Sequence, residues 1–334
     1  MSSSLAALVP RLAGRRILVI GDVCLDEYLI GRPERLSREA PVPVLDFTRR
    51  LAIPGAAANP ARNVVALGSA AALVGVIGDD AAGQELRALL REAGIDVAGL
   101  VVDPARPTTL KTRVLADVDL RFPQQVVRLD RSVRSPLGGP IRQLVTEAIE
   151  RAARAADVIL VSDYRAGVLD DRMIETIRRV AAQTCRPTVV DSQGDLWRFR
   201  EFTLVRSNTP DAEATLRRPL RDEADLRAAT AELREGLGAE SVVITRGAAG
   251  IVFRDARGFA ALPASNRSEV YDAVGAGDTV IAVLALGVAA GLPLRDSVQL
   301  ATAAAGIVVR RFGNAVVSPE ELADAVAHAP YSAT

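Results

Sequence analysis

The chain has 334 residues, 49% hydrophobic and 25% charged, the balance of a globular protein long enough to bury a large core. Forty-one basic residues offset forty-one acidic ones, so bulk charge gives no ground for binding nucleic acid or an anionic membrane. Two cysteines, Cys24 and Cys185, are too few for a disulfide framework, and the single histidine, His328, excludes serine–histidine triads and histidine-built zinc centres unless the C-terminus folds back.

Residues 1–10 lack the basic start and long apolar stretch of a signal peptide. The longest apolar run, Val280 to Ala290, falls short of the roughly 20 residues that span a bilayer and reads as a buried helix. The expectation is a soluble, cytoplasmic protein.

In chain order, Ile17–Gly21 reads as a buried first strand ending in Gly21-Asp22. Helical spacing over Asn63–Leu67 is closed by Gly68, a C-cap candidate. Ala72–Ile77 is the next strand, and the helix after it carries Leu86, Leu89 and Leu90 on one face and stops at Gly94. Ile141, Val145, Ile149 and Ala152 mark a helix before the strand Val158–Val161. Met173, Ile174, Ile177 and Val180 mark another before Thr188–Val190. Val242–Ile244 is a further strand, Ile251–Phe253 and Phe259–Leu262 flank a hairpin, and helix is expected from Asp278 through Arg311 and again from Pro319.

The alternation predicts an α/β fold with a mainly parallel central sheet. Two regions break it, with strands such as Val42–Phe47, Leu110–Leu115 and Val126–Leu129 and no helices between them. They predict a small inserted β-sheet, and the organisation expected is one domain over 1–334 with lid segments at about 23–48 and 104–131. Lys111 and Arg113 alternate on a strand and share a face, either toward a ligand or toward solvent.

The chemistry centres on Gly275-Ala276-Gly277-Asp278, which precedes the long apolar helix. Small residues at a helix N-terminus let backbone amides approach an anion, and the helix dipole favours negative charge there. An aspartate just after them sits where a transferring phosphoryl group meets a hydroxyl, whose proton it can accept. A glycine turn capped by Asp278 explains the same four residues. The context, however, adds Asp272 and a second glycine turn, Thr245-Arg246-Gly247-Ala248-Ala249-Gly250, after a predicted strand.

The D-x-x-G-A-G-D segment resembles the C-terminal signature of the ribokinase-like (PfkB) carbohydrate kinases. Pro54-Gly55-Ala56-Ala57-Ala58-Asn59 is similar to that family's G-G-x-x-x-N, and Gly78–Gly83 to its G-x-D-x-x-G, all in the family's order from about residue 15 to 325. Arg35–Val44, Gly21–Asp26, Thr109–Arg113, Val127–Asp130 and Ser162–Tyr164 look like segments of the heptose 7-phosphate kinase branch. That branch makes the 1,7-bisphosphate used in ADP-heptose synthesis, alone or fused to a nucleotidyltransferase, and this chain would be the free-standing form.

The resemblance implies a three-layer ribokinase-like sandwich and a role for each matching residue. Asp278 would be the base, and the amides of Gly275, Ala276 and Gly277 an anion hole for the γ-phosphate. Asp26, Gly55, Asn59 and Asp163 would hold the sugar, with Lys111, Arg113 and Arg128 on its phosphate. Asn208, Thr245, Gly247, Gly250 and Thr302 would line the nucleotide site. Asp272 would help build a monovalent-cation site (such as K+), and Asp211 would order water on the Mg²⁺ that arrives with ATP. A homodimer paired through the lid is also implied.

Four departures from the family stand out. Ala56 replaces the second glycine of the N-terminal motif, and Asn208-Thr209-Pro210-Asp211 stands for N-x-x-E, with Glu213 as a substitute nearby. Gln193 and Ala166 stand where the heptose kinases carry lysines. These leave Asp278 in place and bear on the substrate: another sugar or a nucleoside, or a non-catalytic sugar-binding relative, are the alternatives. A dinucleotide-dependent dehydrogenase is disfavoured, since the first strand ends in Gly21-Asp22-Val23-Cys24 rather than a G-x-G-x-x-G turn.

Overall fold

The computed structural model describes residues 5–117, 123–265 and 270–328. Its first part runs β1 (Arg16–Gly21), β2 (Val23–Leu36), β3 (Pro43–Ala56), α1 (Ala58–Ala66), β4 (Ala70–Ile77), α2 (Ala81–Glu92) and β5 (Asp96–Val102). Then follow β6 (Leu110–Ala116), β7 (Gln124–Arg131), α3 (Gly139–Ala153), β8 (Val158–Asp163), α4 (Asp171–Thr184) and β9 (Thr188–Ser192). The last part comprises β10 (Leu204–Asn208), α5 (Thr209–Leu216), α6 (Glu223–Leu237), β11 (Ser241–Thr245), β12 (Ile251–Asp255), β13 (Gly258–Leu262), α7 (Ala276–Ala289), α8 (Leu294–Val308) and α9 (Pro319–His328).

Nine strands form the large sheet in the order β13-β12-β11-β10-β9-β8-β1-β4-β5, parallel except where β12 pairs with β11 and β13. Helices cover both faces, so its central strands read as continuous apolar runs, and alternate residues feed two separate cores. Val19, Leu160, Val189 and Val243 face the layer of α1, α7 and α8. Leu18, Ile20, Ile159 and Val161 face α3, α4 and α6.

Helix starts follow from short acceptors at their caps. The side chains of Asp80, Asp170, Asn208 and Asp222 each accept from an amide in the first turn of α2, α4, α5 and α6. Gly68 and Gly94 take left-handed φ values just past α1 and α2, as expected from their positions. The C-terminal helix expected over 278–311 is divided: Gly291 turns left-handed at φ 64°, and Pro293 starts α8 anew. Strands β5 and β10 and helices α5 and α6 lie outside the elements expected from the sequence.

The four-stranded small sheet has the order β3-β2-β6-β7. Strand β2 pairs antiparallel with β3 and parallel with β6, and β6 pairs antiparallel with β7. Its strands fall in the two regions predicted to hold inserted strands; β2 begins at Val23, directly after the end of β1, and β3 runs beyond the expected segment to Ala56. Residues 118–122 of the second segment lie outside the described residues.

Candidate active site

In an open α/β sheet, ligands gather at the carboxyl ends of the strands where the chain order reverses. Here the reversal lies between β1 and β8, since β1 passes to β4 and β5 on one side while β8 and β9 continue on the other. The ends of these strands place Asp22, Asp163 and Tyr164, and the ends of β10 and β11 place Arg206, Asn208 and Thr245. The small sheet rises directly from the end of β1.

Asp278 stands in the first turn of α7 and is 3% exposed. Its Oδ2 accepts from Asn59 Nδ2 at 3.0 Å and its Oδ1 from the Tyr164 hydroxyl at 2.7 Å. Burial pushes its carboxyl up to about 7, against the pull of those two hydrogen bonds. Asn59 is itself fixed, because α1 packs against α7 and Asn63 donates to the Asn59 carbonyl at 3.1 Å. Thr279 in turn donates to Asn63 Oδ1 at 3.1 Å.

The turn before α7 depends on two glycines. Gly275 caps the helix at φ 78°, and a Cβ there would lie 2.6 Å from Asn59 Nδ2. A Cβ on Gly277 would lie 2.9 Å from both terminal nitrogens of Arg206, so the guanidinium packs directly on the helix start. First-turn amides lack partners within a helix and remain for a ligand. The Ala276 amide is partly diverted, since it donates to the Ala273 carbonyl at 3.3 Å.

Sequence reading missed Arg206. It is 8% exposed, its Nη1 bonds both oxygens of Asp191 at 2.7 Å, and its Nη2 donates to Thr245 Oγ1 at 2.6 Å. Burial works against its charge, but Asp191 outweighs burial and holds the guanidinium above its ordinary range. Beside it opens a cavity of about 270 Å³, lined also by Val280, Thr302 and Val309. Thr245, Gly247, Gly250 and Thr302 all line it, as does Gly277, so the two glycine turns meet across one space. Asn208 is adjacent, spending its side chain on the Asp211 amide at 2.8 Å.

The pairing register brings the expected sugar-site cations onto one face of the small sheet. Asp26 lies opposite Lys111, which lies opposite Asp130; Tyr28 lies opposite Arg113, which lies opposite Arg128. Arg113 is buried and donates to Asp26 Oδ1 at 2.5 Å, while Asn314 donates to Asp26 Oδ2 at 2.7 Å. Gly55 closes against the same carboxylate. Arg128 makes a two-pronged pair with Asp130, and Lys111 Nζ sits 5.1 Å from the Tyr164 ring centroid. Thus Lys111 and Arg113 do share a face, but Arg113 is held in an ion pair.

Asp163 is buried differently from the expectation of a sugar contact. Its Oδ1 accepts from the Arg165 amide at 2.9 Å, and its Oδ2 from Ser192 at 3.0 Å and Arg198 at 3.3 Å. Asp272 bonds the amides of Val274 at 2.9 Å and Gly313 at 3.0 Å, fastening the turn before α7 to the loop after α8. Asp211 lies elsewhere, near Asp191, with its carboxyl raised by burial and by that neighbour. Among the described residues no cluster of three histidines, cysteines, aspartates or glutamates could hold a metal ion. Glu213 accepts from the Leu220 amide at 2.7 Å. Ala56, the first departure, takes φ 52°, a left-handed conformation that favours glycine.

The pfkB family carbohydrate kinase profile matches residues 15–321. A bifunctional protein HldE from Trichlorobacter lovleyi is 39% identical over 96% of this chain and 64% of its own length. Another from Geotalea uraniireducens is 41% identical over 94% and 63%. The chain therefore spans less than two thirds of these curated relatives. Phosphofructokinase-2 from Escherichia coli, solved with substrates and products, superposes with a TM-score of 0.79 at 21% identity, covering 95% of this chain and 99% of that one. Arabidopsis thaliana ribokinase complexed with ribose and ATP gives 0.73 at 16% identity, with coverages of 94% and 99%. These likenesses extend to the ribokinase-like fold, and no helix among the described residues is long and apolar enough to cross a membrane. The match over residues 15–321 completes the case that the fold and the G-A-G-D turn began: the chain belongs to the pfkB family of carbohydrate kinases.

Proposed function

We propose that the chain is an ATP-dependent kinase that phosphorylates the 1-hydroxyl of D-glycero-D-manno-heptose 7-phosphate. The observation that carries the kinase chemistry is Asp278, buried at the start of α7, held by Asn59 and Tyr164, and flanked by Arg206 and the cavity. In this reading the nucleotide lies in that cavity against Thr245, Gly247, Gly250 and Thr302. The sugar lies under the small sheet, which acts as a lid, against Asp26, Gly55, Asn59 and Lys111.

Asp278 takes the proton of the sugar hydroxyl as the sugar oxygen attacks the γ-phosphorus, and the bond from that phosphorus to the β,γ-bridging oxygen breaks to release ADP. The amides of Gly275 and Gly277, with Arg206 beneath them, stabilise the charge that develops on the transferring group. Arg206 thereby supplies the cation that Gln193 and Ala166 lack. Lid closure excludes water that would otherwise receive the phosphoryl group. Mg²⁺, arriving on the nucleotide, would neutralise phosphate charge. With Asp191 engaged by Arg206, Asp211 is left without a protein cage around it among the described residues, which fits an ion held mainly by phosphate and water. Asp272 is the residue assigned to a monovalent cation beside the turn. The same reading puts the enzyme in the cytoplasm as a homodimer, its copies pairing through the apolar side chains Leu36, Phe47 and Leu129 that the small sheet exposes.

The heptose branch is supported by its matching segments and by Lys111 and Arg128 on the lid face, which suit a second phosphate. The ion pairs Arg113–Asp26 and Arg128–Asp130 favour a second reading, a kinase of an unphosphorylated sugar, because they already engage two of the three cations. Measuring ADP release against heptose 7-phosphate, fructose 6-phosphate, fructose, ribose and adenosine decides between them. The heptose phosphate should give the highest kcat/KM; a higher value for any unphosphorylated sugar overturns it.

A further inference from the structure

Tyr164 lies in the turn after β8, between Asp278 and the small sheet, and no role above depends on substrate touching it. Its hydroxyl donates to Asp278 Oδ1 at 2.7 Å, and Lys111 stands over its ring. The turn that carries it is fastened by one buried side chain. Asp22, 2% exposed at the end of β1, accepts from the amides of Tyr164 and Ala166, each at 3.0 Å, and from that of Val168 at 3.1 Å. The phenol is therefore aimed by a central strand of the large sheet.

A carboxylate oxygen offers two acceptor directions, and here each Asp278 oxygen has one direction filled. With Asn59 on one oxygen and Tyr164 on the other, the carboxylate cannot rotate about its last bond without breaking a hydrogen bond. Orientation of this kind matters for a base that must meet one hydroxyl along one line. We propose that Tyr164 is a positioning residue for Asp278: its hydroxyl, aimed by the three-amide clamp of Asp22, fixes the carboxylate in the orientation that receives the substrate's proton.

The same hydrogen bond favours the charged carboxylate and opposes burial. Asp278 also faces Asp191 from β9, Arg206 from β10 and Cys24 from β2, and none of these changes when the Tyr164 hydroxyl is removed. Asp22 is itself pushed up to about 6 by burial, against the pull of its three amides. The inference rests on Asp278 being the base, and its test separates failure of that reading from failure of the proposal.

Tyr164→Phe keeps the ring and removes one oxygen. The expected result is a kcat lowered ~10- to 100-fold, as for loss of a hydrogen bond to a charged group, with KM for sugar and ATP within about twofold. The acidic limb of the kcat–pH profile should move to higher pH. Asp22→Asn, which keeps shape but weakens the clamp, should move both quantities the same way by less, and it carries the test if Tyr164→Phe does not fold. A raised KM with unchanged kcat would make Tyr164 a sugar contact and overturn the proposal, as would an unmoved pH limb. A substrate-free readout is the ¹³C carboxyl titration of Asp278, assigned by its loss in Asp278→Asn. Its midpoint should rise in Tyr164→Phe whichever sugar is the substrate, and an unchanged midpoint overturns the proposal. Absence of wild-type turnover with every sugar sinks the kinase reading and leaves this titration to judge the contact itself.

Discussion

Strand β8 of the large sheet is buried at all six of its positions, whereas β7 of the small sheet is exposed at all eight. The large sheet holds together by removing apolar surface from water on both faces. The small one borrows polar ties: Arg50 bridges Glu27 on β2 and Glu85 on α2, Arg131 reaches Asp80 at the start of α2, and Arg113 is paired with Asp26. One chain thus carries a buried platform under Asp278 and a far more exposed small sheet, the flap of the proposed reading. Such a division suits a site that must hold its chemistry still while admitting and releasing ligands.

If the platform holds the chemistry, its aspartate should dominate every substitution. Asp278→Asn is expected to lower turnover by ~10²–10⁴-fold while ATP binding by calorimetry stays within about threefold. Retained activity within tenfold would move the base elsewhere. Leu160→Ala, in the buried centre of β8, should cost ~2–5 kcal/mol in urea denaturation.

Next comes the stability cost of the base itself. The Asp278 carboxyl keeps its proton to about 7 in the fold but releases it near 3.8 when unfolded, so the folded state binds more protons across that window. Stability from this group is full below the lower value and falls as pH rises to the upper one. Asp278→Asn should therefore raise Tm at pH 8 by on the order of 2–4 °C, and by less at pH 5, in paired thermal scans. Equal gains at both pH values would remove the burial argument.

The smallest effects belong to the flap. Arg50→Ala should cost under ~1 kcal/mol, since that side chain is 40% exposed and its pairs are screened. Leu129→Ala, at 62% exposure, should stay within ~0.5 kcal/mol. A loss at Leu129 comparable to that at Leu160 would show that the flap is covered by a partner in solution, and sedimentation would then report the dimer.

The platform was legible from sequence because parallel strands buried on both faces leave unbroken apolar runs, as in Ile17–Gly21 and Val158–Val161. Strand β10 was not, because Arg206 and Ser207 interrupt its apolar run and make Leu204–Asn208 look like loop. Arg206 itself was hidden among forty arginines, on a chain with one lysine. Only the fold brings it from β10 onto Gly277. Tyr164 was seen within a matching segment, but its bond to a residue 114 positions away has no local signature. The resemblance of Ser162–Tyr164 implies a sugar contact for Asp163, whereas its commitment to Ser192 and Arg198 depends on neighbours in β9 and beyond. The break between α7 and α8 was present as Gly291 and Pro293, yet the surrounding alanine and leucine pattern outweighed it.

Ala56 marks one of the places where the small sheet meets the platform. Only Asp22 separates β1 from β2, and only Ala57 separates β3 from α1, so the small sheet joins the platform at two stiff joints. Residues 103–109 and 132–138 provide its two slacker connections. One joint carries the carboxylate that aims Tyr164, and the other, through left-handed Ala56, leads within three residues to Asn59. These two joints therefore hold the backbone that aims both donors to Asp278. If the small sheet closes over a substrate as proposed above, the same two joints carry that movement toward Asp278.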